Sequence, residues 1–518
     1  MTLHLSRPSP ASSACRRWRC PDSTPPRSAA TSAGLHQSRP CSPSHPPRLT
    51  GPERVWGRLA TVPGLLLRDI AHLVTFDADD RELQDVDLRI AGGRVAEIGQ
   101  LQPAPGEEVV NASGLLVLPG MINAHQHLYQ VGLRCIAELE RATLGTWLSG
   151  LGQLCMRWWR DGYFTPESVA ALARAGMVES LLCGVTTIAD QHYFFPGGVT
   201  APYIEATIEA AREVGIRLHA GRGTMTMGHR DGGMAPDETC QTIDEVVRHS
   251  SELISEYHDP DPMARIRIHL APCGPHVDHP ELYAVFAELA AEHPGVGLHT
   301  HLYEQIDTEF CRQRYSRTPW QVIGEAGWHR DTTWLAHMVD APVAEVADYA
   351  AADVGLVHLI APDLRMGFGL APVREWLEAG CTVGFGTTGS ASNDGCNQLG
   401  DLRLAALAHR LSSANPERWL SVRELLAMAT RGSARCLGRP ALGVIEPGAA
   451  ADLAAWDITS VDRVGVHDPV AGLLMTGLSD RAELVTVAGE VVVRDGRCVS
   501  ADEETVATGA HAALPPPA

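Results

Sequence analysis

Residues 117–129 read Val-Leu-Pro-Gly-Met-Ile-Asn-Ala-His-Gln-His-Leu-Tyr. An apolar run ends at the Pro-Gly pair, and His125 and His127 follow with one residue between them. Residues i and i+2 of an extended strand point to the same side, so both imidazoles can reach one metal ion from a single strand end. An isolated pair of this kind is more often structural, and the metal interpretation therefore depends on what the rest of the chain supplies.

The middle of the chain, residues 118–440, alternates β-rich segments with helical patterns. Eight β-rich segments stand out, at 116–127, 185–192, 216–221, 265–272, 296–301, 333–339, 355–361 and 382–388. Eight such units predict an α/β fold, a (β/α)8 TIM-like barrel whose active site lies at the C-terminal ends of its strands. A doubly wound sheet is the alternative, but the chain lacks the glycine-rich phosphate loop expected of that fold.

Short alternating strand patterns also occur on both sides of this middle region. They surround glycine-containing turns at 65–98 and again at 451–493. We expect the two ends to pair into one small β-sandwich, formed by residues 61–117 and 441–503, that flanks the barrel. Residues 504–518 are then a C-terminal tail.

The first 60 residues differ in composition from the remainder. They are rich in Pro, Ser, Ala and Arg, and Asp22 is the only acidic residue among the first 50. We expect this segment to be disordered, or to be an extension from a start codon placed too far upstream. An organelle transit peptide is the weaker alternative, and the apolar region of a secretory signal is not seen.

The overall composition excludes several classes of function. The chain has 518 residues, of which 45% are hydrophobic and 20% charged, as in ordinary soluble globular proteins. A net charge of −20 argues against nucleic acid and anionic membranes as partners, and no apolar run is long enough for a transmembrane helix. Thirteen cysteines without CxxC pairs fit free thiols in a reducing compartment, so we expect a cytoplasmic protein.

Further polar residues follow the later strands of the predicted barrel. The fifth strand ends at His299 and His301, with Glu304 three residues further, the sixth carries His337, and the eighth ends at Thr388. Several histidines converging at one barrel mouth favour Zn²⁺, although Fe²⁺ or Mn²⁺ would fit similar ligands. Separate histidines with local hydrogen bonds are the alternative, which does not account for their position at successive strand ends.

Three of these stretches together resemble one known superfamily. Residues 119–127, His299-Thr300-His301 with Glu304, and residues 389–395 are similar to the amidohydrolase superfamily, in its cytosine/guanine-deaminase-like branch. Within that branch the chain resembles the s-triazine hydrolases most. Residues 64–500 carry the resemblance, with the further stretches 158–162, 190–192, 358–367, 384–390 and 464–469.

The resemblance implies a metal site held by His125, His127 and His301, with one Zn²⁺ per subunit. Two-metal amidohydrolases bridge their metals with a carboxylated lysine. This chain contains no lysine, so a bridge of that kind cannot form and a mononuclear site is expected.

The resemblance also implies how the catalytic work is divided. Glu304 is the general acid that protonates a ring nitrogen, and His337 orients the attacking water. Most relatives place an aspartate at the end of the eighth strand, whereas this chain has Thr388, as the triazine hydrolases do. A threonine hydroxyl can donate or accept a hydrogen bond but is not a base near neutral pH, so proton transfer falls on Glu304 with support from His337.

The activity implied is hydrolytic displacement of a chloro, methylthio or amino substituent from an s-triazine ring. The alternative is a deaminase of a purine- or pterin-like ring such as 8-oxoguanine. Thr388 favours the triazine hydrolase. Gln130 favours the deaminase, because the triazine enzyme has an acidic residue at this position whereas 8-oxoguanine deaminase agrees with the glutamine. A third interpretation is a barrel that binds ligands without turnover, which the presence of Glu304 and His337 disfavours.

Weaker candidates for contact with a small heterocyclic substrate surround the strand ends. Some are aromatic or amide side chains that follow the first two strands, and two are polar residues that would mainly hold the loop after the eighth. They are Tyr129, Gln130, Trp158, His192, Asn393 and Asp394. Relatives are often dimers, so an isologous homodimer is the expected assembly.

Overall fold

The computed structural model describes residues 64–477 and 481–516, so the prediction for residues 1–60 lies outside the described residues. Seven strands precede the barrel. They are β1 (Leu65–Ile70), β2 (His72–Val74), β3 (Glu82–Leu83), β4 (Val86–Ala91), β5 (Arg94–Gly99), β6 (Glu108–Asn111) and β7 (Leu115–Pro119).

Eight consecutive strands then form the barrel. They are β8 (Met121–Gln126), β9 (Val185–His192), β10 (Arg217–Thr224), β11 (Ile266–Pro272), β12 (Gly297–Leu302), β13 (Thr333–His337), β14 (Gly355–His358) and β15 (Thr382–Phe385). Each strand pairs with the next in parallel. The ends of the sheet approach one another where the Thr388 N–H donates to the carbonyl of His125 at 2.9 Å. The predicted (β/α)8 fold is confirmed.

Four strands follow the barrel and join the first seven. They are β16 (Leu453–Asp457), β17 (Leu484–Val487), β18 (Glu490–Arg494) and β19 (Arg497–Cys498). One sheet has the order β5-β4-β1-β6 and the other the order β19-β18-β17-β16-β7-β2-β3, so β16 from one end pairs antiparallel with β7 from the other. Leu67 and Ile90 of the first sheet share an apolar core with Val117 and Leu453 of the second. The flanking sheets from both chain ends are confirmed.

The predicted first barrel strand, residues 116–127, is two strands instead of one. Leu115–Pro119 belongs to the flanking sheet and Met121–Gln126 to the barrel, with Gly120 between them. A Cβ at Gly120 would lie 2.3 Å from the side chain of Thr186, so the close approach to β9 requires glycine there. A continuous apolar run shows that a segment is extended and buried, but not which sheet it enters.

The helices lie between and after the barrel strands. They are α1 (Leu144–Arg160), α2 (Pro166–Leu182), α3 (Tyr203–Val214), α4 (Ile243–Tyr257), α5 (Pro280–Glu292), α6 (Ile306–Tyr315), α7 (Pro319–Glu325), α8 (Val346–Ala351), α9 (Ile360–Met366), α10 (Val373–Glu378), α11 (Ser390–Asn393), α12 (Gln398–Ala408), α13 (Val422–Ala427), α14 (Ser433–Cys436), α15 (Pro469–Met475) and α16 (Glu503–Ala512). Within the described ranges, none is long and apolar enough to cross a bilayer. The predicted tail thus contains α16, and the predicted domain boundaries stay predictions.

Local sequence explains where several of these helices begin. The helices α2, α4, α7 and α13 each begin with a capping box. The Ser or Thr before the helix accepts from the backbone N–H three residues further, and the side chain of that residue accepts from the backbone N–H of the Ser or Thr. Such a reciprocal pair satisfies backbone N–H groups that would otherwise lack partners at the helix start. Of these four helices, α2 packs against β9 and α4 against β11 of the barrel.

Candidate metal centre and active site

Three histidines meet at the C-terminal mouth of the barrel. His125 ends β8 with Gln126, His127 follows directly, and His301 lies near the end of β12. One ring nitrogen from each lies within 4.8 Å of the others, and all three side chains are buried. The three predicted metal ligands are therefore brought together, on two strands that lie far apart in the sheet order.

Backbone carbonyls determine which nitrogen of two of these rings carries the hydrogen. Nδ1 of His127 lies 2.8 Å from the Gln191 carbonyl, and Nδ1 of His301 lies 2.6 Å from the Cys273 carbonyl. A carbonyl only accepts, so each Nδ1 donates, and the neutral ring then keeps a lone pair on Nε2. The two Nε2 atoms face each other at 3.1 Å.

A third ring is oriented through an intermediate histidine. Nδ1 of His299 donates to the Trp334 carbonyl at 2.8 Å, which leaves Nε2 of His299 as an acceptor. That Nε2 lies 2.7 Å from Nδ1 of His125, so His125 donates to it and keeps its own lone pair on Nε2. Nε2 of His125 is buried and has no hydrogen-bond partner among the described residues.

These imidazoles are held in the neutral form. Burial lowers the pKa of His127 and of His299 to about 3, and burial together with neighbouring imidazoles lowers those of His125 and His301 well below the ordinary value. Three lone pairs therefore converge without hydrogens between them. These lone pairs repel one another unless a cation lies between them. Three neutral imidazoles suit a borderline ion such as Zn²⁺. The residues fit a single zinc ion.

A proton-holding pair lies beside the histidine cluster. Nε2 of His337 lies 3.2 Å from Oε1 of Glu304, and Nδ1 of His337 lies 2.7 Å from Oδ1 of the buried Asp363 on α9. Burial raises the pKa of Glu304. Burial alone would disfavour charge on His337, but the Glu304 and Asp363 carboxylates outweigh it and raise the pKa of His337. The pair therefore retains a proton between Glu304 and His337.

Four residues around these side chains have a strained backbone. His337 and Thr388 have φ angles of 71° and 54°, and Tyr303 and Gln305, on either side of Glu304, have 57° and 69°. Non-glycine residues rarely adopt positive φ, least of all a β-branched residue such as threonine. Such conformations persist where the surrounding structure imposes them, and they cluster at functional sites.

Thr388 follows β15 and borders the same cavity as His127 and His301. This inner cavity is lined by His127, Trp147, Leu148, Tyr193, Cys273, His276, His301, Glu304, His337, Pro362, Met366, Phe368, Thr388 and Ser392. Glu304 is the one carboxylate in that lining, so Thr388 brings no second base to the site. The backbone before it is fixed by Asn123, whose amide donates to the Thr387 hydroxyl at 2.7 Å.

The structure separates the weaker substrate candidates into two groups. Tyr129 lines a second cavity beside the first, and Gln130 donates to the hydroxyls of Tyr129 at 3.3 Å and Tyr193 at 3.0 Å. Trp158 and His192 instead pack in the interior, where His192 stacks on Tyr203 and bonds to the Phe194 carbonyl. Neither of these two borders a cavity at the site.

The two polar residues after the eighth strand hold their loop. Asn393 donates to the Thr387 carbonyl at 2.7 Å and to the Asp401 carboxylate at 2.6 Å. Asp394 accepts from the Cys135 N–H at 2.6 Å and from Arg365 at 2.7 Å. These bonds fix the backbone that carries Thr388, in line with the interpretation of the pair as loop-holding residues.

Several residues of the site were given no role from the sequence, although His299 was noted at the end of the fifth strand. Asp363 and His299 orient neighbouring imidazoles, and Trp147, Cys273 and His276 border the inner cavity. Asp363 lies within a stretch that carries the family resemblance, which was the available signal for it. Trp147 lies on α1, which the sequence pattern did not predict, so its position relative to the strand ends had no sequence signal.

Comparison with known proteins agrees with this geometry. Among solved structures, the chain is 52% identical to the atrazine chlorohydrolase of Arthrobacter aurescens TC1 complexed with zinc, with a TM-score of 0.86 over 87% of this chain and 100% of that one. It is 38% identical over 419 residues to the 8-oxoguanine deaminase of Pseudomonas aeruginosa, covering 79% of this chain and 91% of that protein.

A second curated relative is the hydroxydechloroatrazine ethylaminohydrolase of Pseudomonas sp. strain ADP, 32% identical over 85% of this chain and 92% of its own length. Residues 116–496 match the amidohydrolase family, which confirms the predicted resemblance. On the strength of that match, of these relatives and of the histidine site at the barrel mouth, the chain belongs to the amidohydrolase family.

Proposed function

We propose that the protein hydrolyses the bond between an s-triazine ring and a chloro, methylthio or amino substituent. One observation carries the proposal: Glu304, paired with His337, is the one carboxylate lining a cavity that is also lined by Thr388 and by two of the metal histidines, His127 and His301. Such a site can donate a proton to a ring nitrogen, but it has no second carboxylate in its lining to act as a base in further proton transfers. The 52% identity to a zinc-containing atrazine chlorohydrolase supports the same substrate class.

The roles of the residues follow from their contacts. His125, His127 and His301 would hold a zinc ion, which when bound would supply the activation of water as a nucleophile at neutral pH. Glu304 delivers its proton to the ring nitrogen beside the reacting carbon, and His337 holds that proton in place through its 3.2 Å approach to Glu304. Asp363 fixes the orientation of His337, and the Thr388 hydroxyl contributes a hydrogen bond.

The leaving group decides how well such a site works. Chloride and a thiolate leave without a proton, whereas an amine requires one. Because Thr388 replaces a carboxylate, we expect chloro and methylthio substituents to be displaced faster than amino substituents.

Mass spectrometry of zinc-loaded protein tests the proposal directly. The protein is incubated with chloro- and methylthio-s-triazines, 8-oxoguanine, guanine and cytosine in one mixture. Hydroxy-triazine as the dominant product is the expected result. Deaminated purine or pyrimidine with little triazine conversion would replace the proposed substrate class, and bound zinc without any turnover would favour a binding protein.

Deamination of a purine-like ring is the second candidate. Gln130 supports it, since its amide lies between the Tyr129 and Tyr193 hydroxyls in place of an acidic residue, and so does the 38% identity to 8-oxoguanine deaminase. The mixture above discriminates between the two candidates because both substrate classes compete for the same enzyme.

The compartment and assembly are proposed on separate observations. Buried cysteines such as Cys155, Cys311 and Cys436 are free thiols, which supports a reducing compartment such as the cytoplasm. Leu404 and Leu407 of α12 and Leu411 after it are exposed, which supports a homodimer through this surface. Cell fractionation tests the first proposal, and light scattering of the wild type and of Leu407→Glu tests the second.

A further inference from the structure

The segment that carries Glu304 has a strained backbone on both sides of this residue. Tyr303 and Gln305 have φ angles of 57° and 69°, and neither is a glycine. The helix α6 follows directly, and its start receives no side-chain cap from Gln305. Such conformations persist where other contacts impose them, so the contacts of this segment determine where the Glu304 carboxyl lies.

Asp307, in the first turn of α6, holds the backbone of this segment with both oxygens of its carboxylate. Oδ2 accepts from the Tyr303 N–H at 2.7 Å, and Oδ1 accepts from the Glu304 N–H at 2.7 Å. The Asp307 side chain is buried. Burial raises the pKa of Asp307, and the two N–H groups oppose that rise because they stabilise its charged form. Hydrogen bonds to a charged acceptor are roughly twice as strong as neutral ones, so this carboxylate fixes two successive peptide groups.

A second carboxylate holds the side chain of Tyr303. The Tyr303 hydroxyl donates to Glu345, and the Tyr349 hydroxyl donates to the same carboxylate at 2.7 Å. Both tyrosine side chains are buried. Glu345 lies directly before α8, in the part of the chain that follows β13. Tyr303 is therefore fixed at its backbone by one carboxylate and at its hydroxyl by another.

A backbone hydrogen bond connects this segment with the one that carries His337. The Asp340 N–H donates to the Tyr303 carbonyl at 3.0 Å. His337 and Met338 have φ angles of 71° and 54°, so the second segment is strained as well. The two segments are thus tied together beside the 3.2 Å contact between Glu304 and His337.

We infer that Asp307 and Glu345 are positioning residues, which hold Tyr303 at both ends and thereby set the approach of Glu304 to His337. Neither carboxylate lines the inner cavity, so each acts through Glu304. The inference rests on the proposed role of Glu304 as the proton donor. It holds for an s-triazine and for a purine-like ring alike, because either ring would take its proton from the same carboxyl.

Removal of single hydroxyl groups tests the contact with Glu345. Tyr303→Phe should lower kcat about tenfold, the cost of one hydrogen bond to a charged group, while KM and zinc content stay unchanged. Tyr349→Phe is the matched control, since it removes the other hydroxyl on Glu345 and leaves Tyr303 its acceptor. Its kcat should equal that of the wild type. Equal kcat values for the two variants would overturn the inference.

A double-mutant cycle separates positioning from a general loss of structure. Asp307→Asn places an amide NH₂ against a backbone N–H, and kcat should fall about 10²-fold, as it can when a reacting group is displaced by about 1 Å. In the Glu304→Gln background, Asp307→Asn and Tyr303→Phe should leave the residual kcat unchanged, because no proton donor remains to be displaced. The same fold loss in both backgrounds would show a purely structural role.

The choice of substrate separates this inference from the proposed function. The variants are assayed with a chloro-s-triazine and with 8-oxoguanine, and their kcat ratios are taken on whichever substrate the wild type converts. Deamination without triazine hydrolysis would reject the proposed function, whereas the ratios among the variants would still support or overturn the positioning role. A crystal structure of Tyr303→Phe decides the same point without turnover. The distance from Glu304 to His337 should exceed about 3.5 Å, and a distance kept at 3.2 Å would overturn the inference.

Discussion

Nδ1 of His337 lies 2.7 Å from Oδ1 of Asp363, a carboxylate that is fully buried. This contact turns the other ring nitrogen of His337 toward Glu304, 3.2 Å away. The orientation of the proton-holding pair therefore depends on a residue that does not border the inner cavity.

Asp363→Asn should lower kcat about 10²-fold while leaving zinc content intact. The amide can donate as well as accept, so it no longer fixes the hydrogen of His337 on Nδ1. Steady-state kinetics and metal analysis of the same preparation check this. An unchanged kcat would show that the His337 orientation is set by other contacts.

Glu304→Gln should lower turnover roughly 10²-fold or more, because the amide cannot release a proton to the ring nitrogen. Zinc content should stay at one per subunit, since Glu304 is not among the three ligating histidines. Glu309→Gln, at an exposed position of α6, is the matched control. Retained turnover in Glu304→Gln would refute the general-acid role.

His299→Leu should weaken zinc affinity 10- to 100-fold, because His125 then loses the acceptor that fixes its hydrogen on Nδ1. His299→Gln should recover part of the affinity, since its amide can accept from His125 and donate to the Trp334 carbonyl. Competition with a chromophoric chelator measures both values. If the two variants bind zinc equally well, His299 acts through packing alone.

Removal of zinc by a chelator should lower the thermal unfolding midpoint, and zinc should restore it. The facing Nε2 atoms of His127 and His301, 3.1 Å apart, repel each other without a cation. A ligand at a hundred times its Kd stabilises the folded state by about 2.7 kcal/mol. Calorimetry across a zinc titration measures the shift, and a midpoint independent of zinc would contradict the assigned site.

Acid stability should depend on Arg423, which bonds to both Glu82 and Asp468. Its guanidinium is the main cause of the lowered pKa of each carboxyl, from ordinary values of 4.5 and 3.8. A lowered native pKa stabilises the fold above the unfolded pKa, and that contribution is lost as pH falls through the native value.

Arg423→Gln should therefore cost about 1 kcal/mol of unfolding free energy at pH 7, a modest value because the three groups are partly exposed. The difference from wild type should shrink as pH falls below the ordinary values of 4.5 and 3.8, and it should vanish once both carboxyls are protonated in the native state. Urea titrations at several pH values measure it, with Arg248→Gln on the exposed side of α4 as the control. A constant difference at all pH values would rule out the electrostatic origin.

Sequence periodicity predicted those parts of the molecule that depend on single segments. The spacing of His125 and His127 places both on one side of a strand end, and repeated βα units predict the barrel. The contacts of His299 and Asp363 depend on how neighbouring segments meet, for example on the pairing of His299 with Trp334 across β12 and β13. Likewise the break at Gly120 depends on the distance to Thr186, which no local pattern encodes.

The pairing of β7 with β16 has a consequence for synthesis on the ribosome. Leu118 pairs with Ala454, so the N-terminal half of the sandwich waits for a partner made 336 residues later. At elongation rates of about 5–20 residues per second this delay is roughly 17–67 s, during which this edge of β7 has no strand to cover it. Completion of the sandwich therefore waits until β16 has been synthesised, and until then the open edge of β7 is a site at which other chains can pair.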